Sequence, residues 1–305
     1  MVRGRLFIQG RIMQRLVHSV FLLTLFLVAG IATVASAQEG GALAGLSAGS
    51  SADYYHNLIG VVTGNWQEYG QLFTFLQGEW FWKIFLVIIT AVPAVFFLHY
   101  MIIGAKHFDH DGPQIYFFSL FARIVHFVAA ISFSLLVITG LMIIFGSFLG
   151  GGTLIRLARY THLVSAIVFA LPCVLMFIMW LKEMLPQLHD IKWMFIVGGY
   201  LSKKKVPVPA AKFNAGQKMY FWFAIFGGGV MAFTGYIIWG MSADVETVRL
   251  YAIIHNVLGM GIVAFYLTHV YMSVFAIAGS LESMKTGYKP KEEVDILHSL
   301  HKYEL

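Results

Sequence analysis

Five stretches of this chain, 80–104, 115–145, 157–180, 219–241 and 251–278, each exceed twenty residues and carry at most one Lys or Arg and no Asp or Glu. At about 1.5 Å per residue, each is long enough as a helix to cross the roughly 30 Å hydrocarbon core of a bilayer. Hydrocarbon offers the backbone no hydrogen bonds, and a helix satisfies its own. A composition that is 59% hydrophobic and only 12% charged excludes an ordinary soluble globule. The fold expected is all-α, a polytopic membrane helical bundle.

The amino end begins with Arg3, Arg5, Arg11 and Arg15, followed by an apolar stretch over 16–34 and the small-residue run Ala35-Ser36-Ala37. That pattern reads as a signal peptide over 1–37, with an uncleaved first span as the alternative. Either reading leaves residue 38 outside. The segment 38–79 contains no Lys or Arg, as expected of an exported, periplasmic stretch. From there the five spans alternate and leave the tail, 281–305, in the cytoplasm. Charge supports this orientation independently. Lys182, Lys192, Lys203, Lys204, Lys205, Lys212 and Lys218, and in the tail Lys285, Lys289, Lys291 and Lys302, all fall on the inner side, against only Arg156, Arg159 and Arg249 outside. The net charge of +6 therefore reads as orientation in a bacterial inner membrane, with contact to anionic lipid, and no nucleic-acid partner is expected.

Five histidines lie inside these spans: His99, His126, His162, His255 and His269. An imidazole in hydrocarbon must bind a metal, find a hydrogen-bond partner or line a polar path. His255 and His269 are fourteen residues apart, about 21 Å along one helix and on nearly the same face. His162 matches the depth of His255, toward the outside, and His126 matches that of His269, toward the inside. Two opposed imidazoles at each depth would hold a low-spin b-type haem with no open axial position. The alternatives are packing histidines or a proton path. Arg123 and Arg159 each precede a histidine by three residues, placed either to meet haem propionates or to snorkel to the interface. Small residues, among them Ala122, Ala129, Gly140, Ala158 and Gly259, leave room for a flat macrocycle or for close helix packing. Cys173 is the single cysteine, so no C-x-x-C-H attachment of a c-type haem is available. For His99, which has no equally spaced partner, a structural or hydrogen-bonding role is expected, the alternatives being a position facing a quinone, another helix or the inner haem.

The sequence KFNAGQKMYFW at 212–222, RLYAIIHNVLGMGIVAFYLTHVYMSVF at 249–275, RIVHF at 123–127, RYTH at 159–162 and GSLESMKTG at 279–287 occur in one order and spacing. Together they resemble the cytochrome b gamma subunit of respiratory formate dehydrogenases, within a group that includes cytochrome b subunits of nickel-iron hydrogenases. The resemblance covers roughly 115–290. It implies a four-helix di-haem cytochrome b core over 115–280, with His162 and His255 on the outer haem and His126 and His269 on the inner. It also implies a menaquinone or ubiquinone site beside the inner haem, formed by Asn214, Gly216 and His269, with Lys218 or Gln217 as candidate proton donors. An iron-sulfur beta subunit and a molybdenum or tungsten pterin catalytic alpha subunit are the implied partners, because the chain carries neither framework itself. The membrane helix at 80–105 departs from the four-span form. Rival readings are a hydrogenase-linked cytochrome b, a membrane transporter and a structural anchor.

Overall fold

The structure is a computed structural model that describes residues 69–241 and 243–303. The signal peptide read over 1–37, and the exported segment up to residue 68, lie outside the described residues. Among the described residues, five helices are long and apolar enough to cross a membrane: α1 (Gln71–Ile103), α2 (Leu120–Ile144), α3 (Gly152–Trp180), α5 (Ala215–Gly240) and α6 (Val245–Val274). Short helices α4 (Leu188–Phe195), α7 (Glu282–Thr286) and α8 (Lys291–Leu297) lie between or after them, with a two-stranded ribbon of β1 (Gln114–Tyr116) and β2 (Tyr288–Pro290).

Helix starts follow local hydrogen-bond chemistry. Ser119 caps α2 by accepting from the Ala122 N–H at 3.1 Å, and Asp244 caps α6 by accepting from the Thr247 N–H at 3.0 Å. Asn214 and Gln217 open α5 with a reciprocal capping box, both bonds 2.9 Å. The span expected from residue 115 starts at 120 because 114–116 is β1, paired antiparallel with β2 through Gln114↔Pro290, Ile115↔Lys289 and Tyr116↔Tyr288. Ile115, Phe117 and Phe118 extend the apolar run in sequence, but they are buried against the carboxyl-terminal segment. In the other direction, α1 begins at Gln71, so the end of the stretch read as an exported connection is helical. Its first turns include a π-turn at Leu76–Trp80, and α5 carries another at Phe223–Gly227.

The spans pack as two hairpins. α2 lies along α3 and α5 along α6, with α1 against the outer flank of α6. At one end the α3–α5 connection and the tail close into a cap with two apolar clusters. One gathers Trp193, Tyr200, Val208, Tyr271, Ile277 and Leu297, the other Ile115, Phe118, Trp180, Phe213, Phe221 and Val294. The backbone of Lys106, just past α1, pairs with Ala276 and Ala278 at 2.9 Å each, which ties α1 to the chain leaving α6. Two of the buried cations in this cap have carboxylate partners, whereas Lys106 donates instead to the Ser202 carbonyl at 2.8 Å and the Lys204 carbonyl at 3.2 Å. Lys289 bonds Glu293, and Lys218 bonds Asp190 at 2.8 Å, all four groups being buried.

His298 is buried in the cap, where its Nδ1–H donates to the Ala211 carbonyl at 2.8 Å. Burial, with Lys289 nearby, pushes its pKa from 6.5 down to about 3. The unfolded segment therefore binds a proton that the folded cap excludes between those values. Stability of the cap should fall as pH drops below about 6.5, by roughly 1.4 kcal/mol per pH unit down to about 3. Hydrogen-exchange protection factors of residues 288–300, each taken relative to the unstructured-chain rate at the same pH, check this at pH 7 and pH 5: lower protection at pH 5, with a smaller pH effect in His298→Asn, is expected.

Two facing histidine pairs

His126 on α2 faces His269 on α6, ring centres 6.3 Å apart and planes inclined at 52°. His162 on α3 faces His255 on α6 at 6.4 Å and 61°. With a metal–nitrogen distance of about 2 Å and a ring centre about 1 Å behind the nitrogen, imidazoles on opposite sides of one metal ion have centres about 6 Å apart. Both pairs meet that spacing. Among the described residues, no cluster of three or more His, Cys, Asp or Glu side chains is assembled to hold a bare ion. Two protein ligands per centre are few for a bare ion and suit a haem, whose macrocycle brings four nitrogens.

The pair His162–His255, expected above to be the outer one, is held by its neighbours in a repeated way. Thr139 Oγ1 on α2 lies 3.0 Å from His162 Nδ1, and Thr234 Oγ1 on α5 lies 2.9 Å from His255 Nδ1. Each threonine is followed by a glycine against the same ring. A Cβ on Gly140 would stand 3.3 Å from His162 Cε1, and one on Gly235 would stand 3.3 Å from His255 Cε1. With Nδ1 engaged, Nε2 is left for the space between the rings. Between the two depths, Phe133, Phe169 and Tyr266 form an aromatic layer, with Phe133 5.1 Å from Phe169 and 5.6 Å from Tyr266.

The pair His126–His269, expected above to be the inner one, has different surroundings. Tyr220 of α5 stacks on His269 at 4.5 Å with planes 5° apart, and His126 Nδ1 is buried without a hydrogen-bond partner. Arg123, three residues before His126, is 1% exposed. Its guanidinium donates to the Lys285 carbonyl and lies against Gly287, while its Nε finds no acceptor. A buried guanidinium with no carboxylate beside it is suited to an acidic group brought by a ligand. Its counterpart Arg159 is exposed and lies over the Trp239 ring at 5.6 Å.

The residues that the resemblance assigned to a quinone have structural partners as well. The Asn214 side chain caps α5, and Gln217 completes that box. Gly216 faces Trp193, whose ring is slotted between two glycines: a Cβ on Gly216 would meet it at 2.9 Å and one on Gly198 at 2.5 Å. Lys218 is engaged by Asp190. The ring contact from α5 to His269 is made by Tyr220. His99 hydrogen-bonds through Nδ1 with the Tyr271 hydroxyl at 2.6 Å and through Nε2 with the Tyr200 carbonyl at 2.9 Å. Its expected structural role is met, since it joins α1 to α6 and to the cap. Sequence reasoning missed Thr139, Thr234 and Tyr220. The repeated Thr-Gly dipeptide, at 139–140 and 234–235, was the available signal for the first two.

A sequence model described as prokaryotic cytochrome b561 matches residues 117–287, a range that contains both histidine pairs. Among curated proteins, the nitrate-inducible formate dehydrogenase cytochrome b556(Fdn) subunit of Escherichia coli (strain K12) is 29% identical over 137 residues, covering 43% of this chain and 63% of that protein. The formate dehydrogenase cytochrome b556(fdo) subunit of the same organism is 24% identical over 173 residues, covering 54% and 81%. A formate dehydrogenase cytochrome b556 subunit of Haemophilus influenzae is 25% identical over 175 residues, covering 55% and 73%. The chain thus spans a little under two thirds of the length of the first of these relatives.

The Gly216–Trp193 contact yields a prediction. Gly216→Ala should destabilise the cap by about 1–3 kcal/mol through overpacking. Trp193→Phe, introduced with it, should recover part of that loss, because the colliding ring atom is removed. Thermal unfolding of the two single variants and the double variant measures the coupling; additive effects would remove the packing explanation.

Proposed function

The chain belongs to the prokaryotic cytochrome b561 family, and from that premise we propose that it is the membrane subunit of a formate dehydrogenase complex, carrying electrons through two b haems to a quinone. The observation that supports this reading best is the pair of imidazole couples, 6.3 and 6.4 Å between ring centres, set at two depths in one bundle. When bound, a bis-histidine haem stores and passes one electron at a time and leaves no coordination position for oxygen.

The residues divide the work by position. His162 and His255 hold the outer group, and His126 and His269 the inner one. Arg123 supplies a buried positive charge for a propionate of the inner group, and Arg159 an exposed one near the outer group. The aromatic layer of Phe133, Phe169 and Tyr266 keeps water from the path between them. The Lys-rich capped end is cytoplasmic in this reading. A menaquinone or ubiquinone binds there beside His269 and Tyr220, with Asn214 and Gly216 at the entrance, and becomes quinol by taking two electrons and two protons. Formate is oxidised elsewhere: one cysteine cannot hold an iron-sulfur cluster. An iron-sulfur subunit at the opposite end and a molybdenum or tungsten pterin subunit beyond it complete the complex.

Isolation of the intact complex tests this. Addition of formate should reduce the b-type absorbance and then a quinone analogue, and His269→Ala should abolish quinone reduction while assembly persists. Reduction by hydrogen with no response to formate would assign the chain to a hydrogenase instead, and absence of any reducible b-type absorbance would end the electron-transfer reading.

A further inference from the structure

The two histidine pairs differ in what touches the rings from behind. A threonine hydroxyl has one proton to give. Thr139 directs its own toward the Leu135 carbonyl at 2.6 Å, and Thr234 toward the Val230 carbonyl at 2.8 Å, each one turn back on the same helix. Toward the imidazole, each hydroxyl oxygen can therefore only accept. Both outer histidines must donate from Nδ1–H, which leaves the Nε2 lone pair bare in the tautomer that ligates a metal. The following glycine lets the ring approach the helix wall, and two separate hairpins, α2 over α3 and α5 over α6, use the same device. Both threonines are buried. Nothing comparable backs the inner pair, where His126 Nδ1 is unpartnered and His269 meets the face of Tyr220.

Resting on the cytochrome reading above, we propose that Thr139 and Thr234 are positioning residues that lock the tautomer of the outer axial histidines and hold the outer haem at a lower reduction potential than the inner one. The physical link is ligand basicity. An imidazole that donates a hydrogen bond from Nδ1 is a stronger donor at Nε2, and a stronger donor favours the more highly charged, oxidised iron. Two such bonds on one centre and none at His126 make the outer centre the better reductant, so an electron shared between the centres resides mainly on the inner one, beside the quinone site.

The test is a potentiometric titration of the purified complex carrying Thr139→Val, Thr234→Val or both, followed by absorbance and by the low-spin ferric signals in electron paramagnetic resonance. The signal that is lost in His162→Ala identifies the outer haem. Valine keeps the shape and removes the acceptor. Each substitution should move the electron distribution about tenfold toward the outer haem, about 59 mV for a one-electron couple, leaving the inner potential in place. Thr139→Ser and Thr234→Ser, which retain the hydroxyl, should stay close to the parent. Loss of the outer haem in the valine variants and its retention in the serine variants also supports the lock. Unchanged potentials in valine variants with both haems bound, equal shifts at both haems, or the same effect from serine as from valine would overturn it. A parent complex with no b haem would instead overturn the cytochrome reading.

Discussion

An imidazole cannot be left alone in hydrocarbon: its nitrogens need partners there, because water is absent and desolvation without compensation costs several kcal/mol. Among the described residues, five histidines lie in the spans, and each has a purpose through its neighbours. His162 and His255 have threonines behind and each other in front, His126 and His269 face one another beside Arg123 and Tyr220, and His99 is bonded on both nitrogens. The helix arrangement follows. α6 contributes a histidine to each pair, so it must be central, and α2, α3 and α5 must surround it closely enough for rings to meet across the bundle. α1 joins through His99 and Phe96, the latter stacked on Tyr271 at 4.3 Å.

The two ends of the bundle differ for electrostatic reasons. At the capped end, Lys289 and Lys218 are neutralised within the chain by Glu293 and Asp190 and Lys106 is bonded to two carbonyls, whereas the buried Arg123 has a single carbonyl acceptor and an Nε left without one. A guanidinium stays protonated at any ordinary pH, so its burial makes sense where a ligand brings the compensating charge. The cap also fixes Trp193 between Gly198 and Gly216, which places the first turn of α5, and with it Tyr220, over the inner pair.

Much of this was legible in the sequence. Hydropathy located the five spans, and the fourteen-residue spacing of His255 and His269, read with depth, selected the partners that the structure brings to 6.3 and 6.4 Å. Helix starts were less legible because apolar residues continue past the helix: Phe117 and Phe118 serve the cap, and hydropathy does not distinguish burial under protein from burial in lipid. The threonines escaped notice because a Thr in a membrane helix usually bonds its own backbone. Only the approach of a second helix shows that the same oxygen also accepts from an imidazole. Tyr220 escaped for a similar reason, since a ring stack between α5 and α6 depends on their relative rotation, which no single-helix pattern encodes.

The central claim is that four imidazoles hold two irons. Haem content per chain, measured by the pyridine haemochrome spectrum of the purified protein, tests it most directly. The account predicts two b haems per chain, falling to one when either His255 or His126 is replaced by alanine. One haem in the parent chain, or two retained after both replacements, would contradict it.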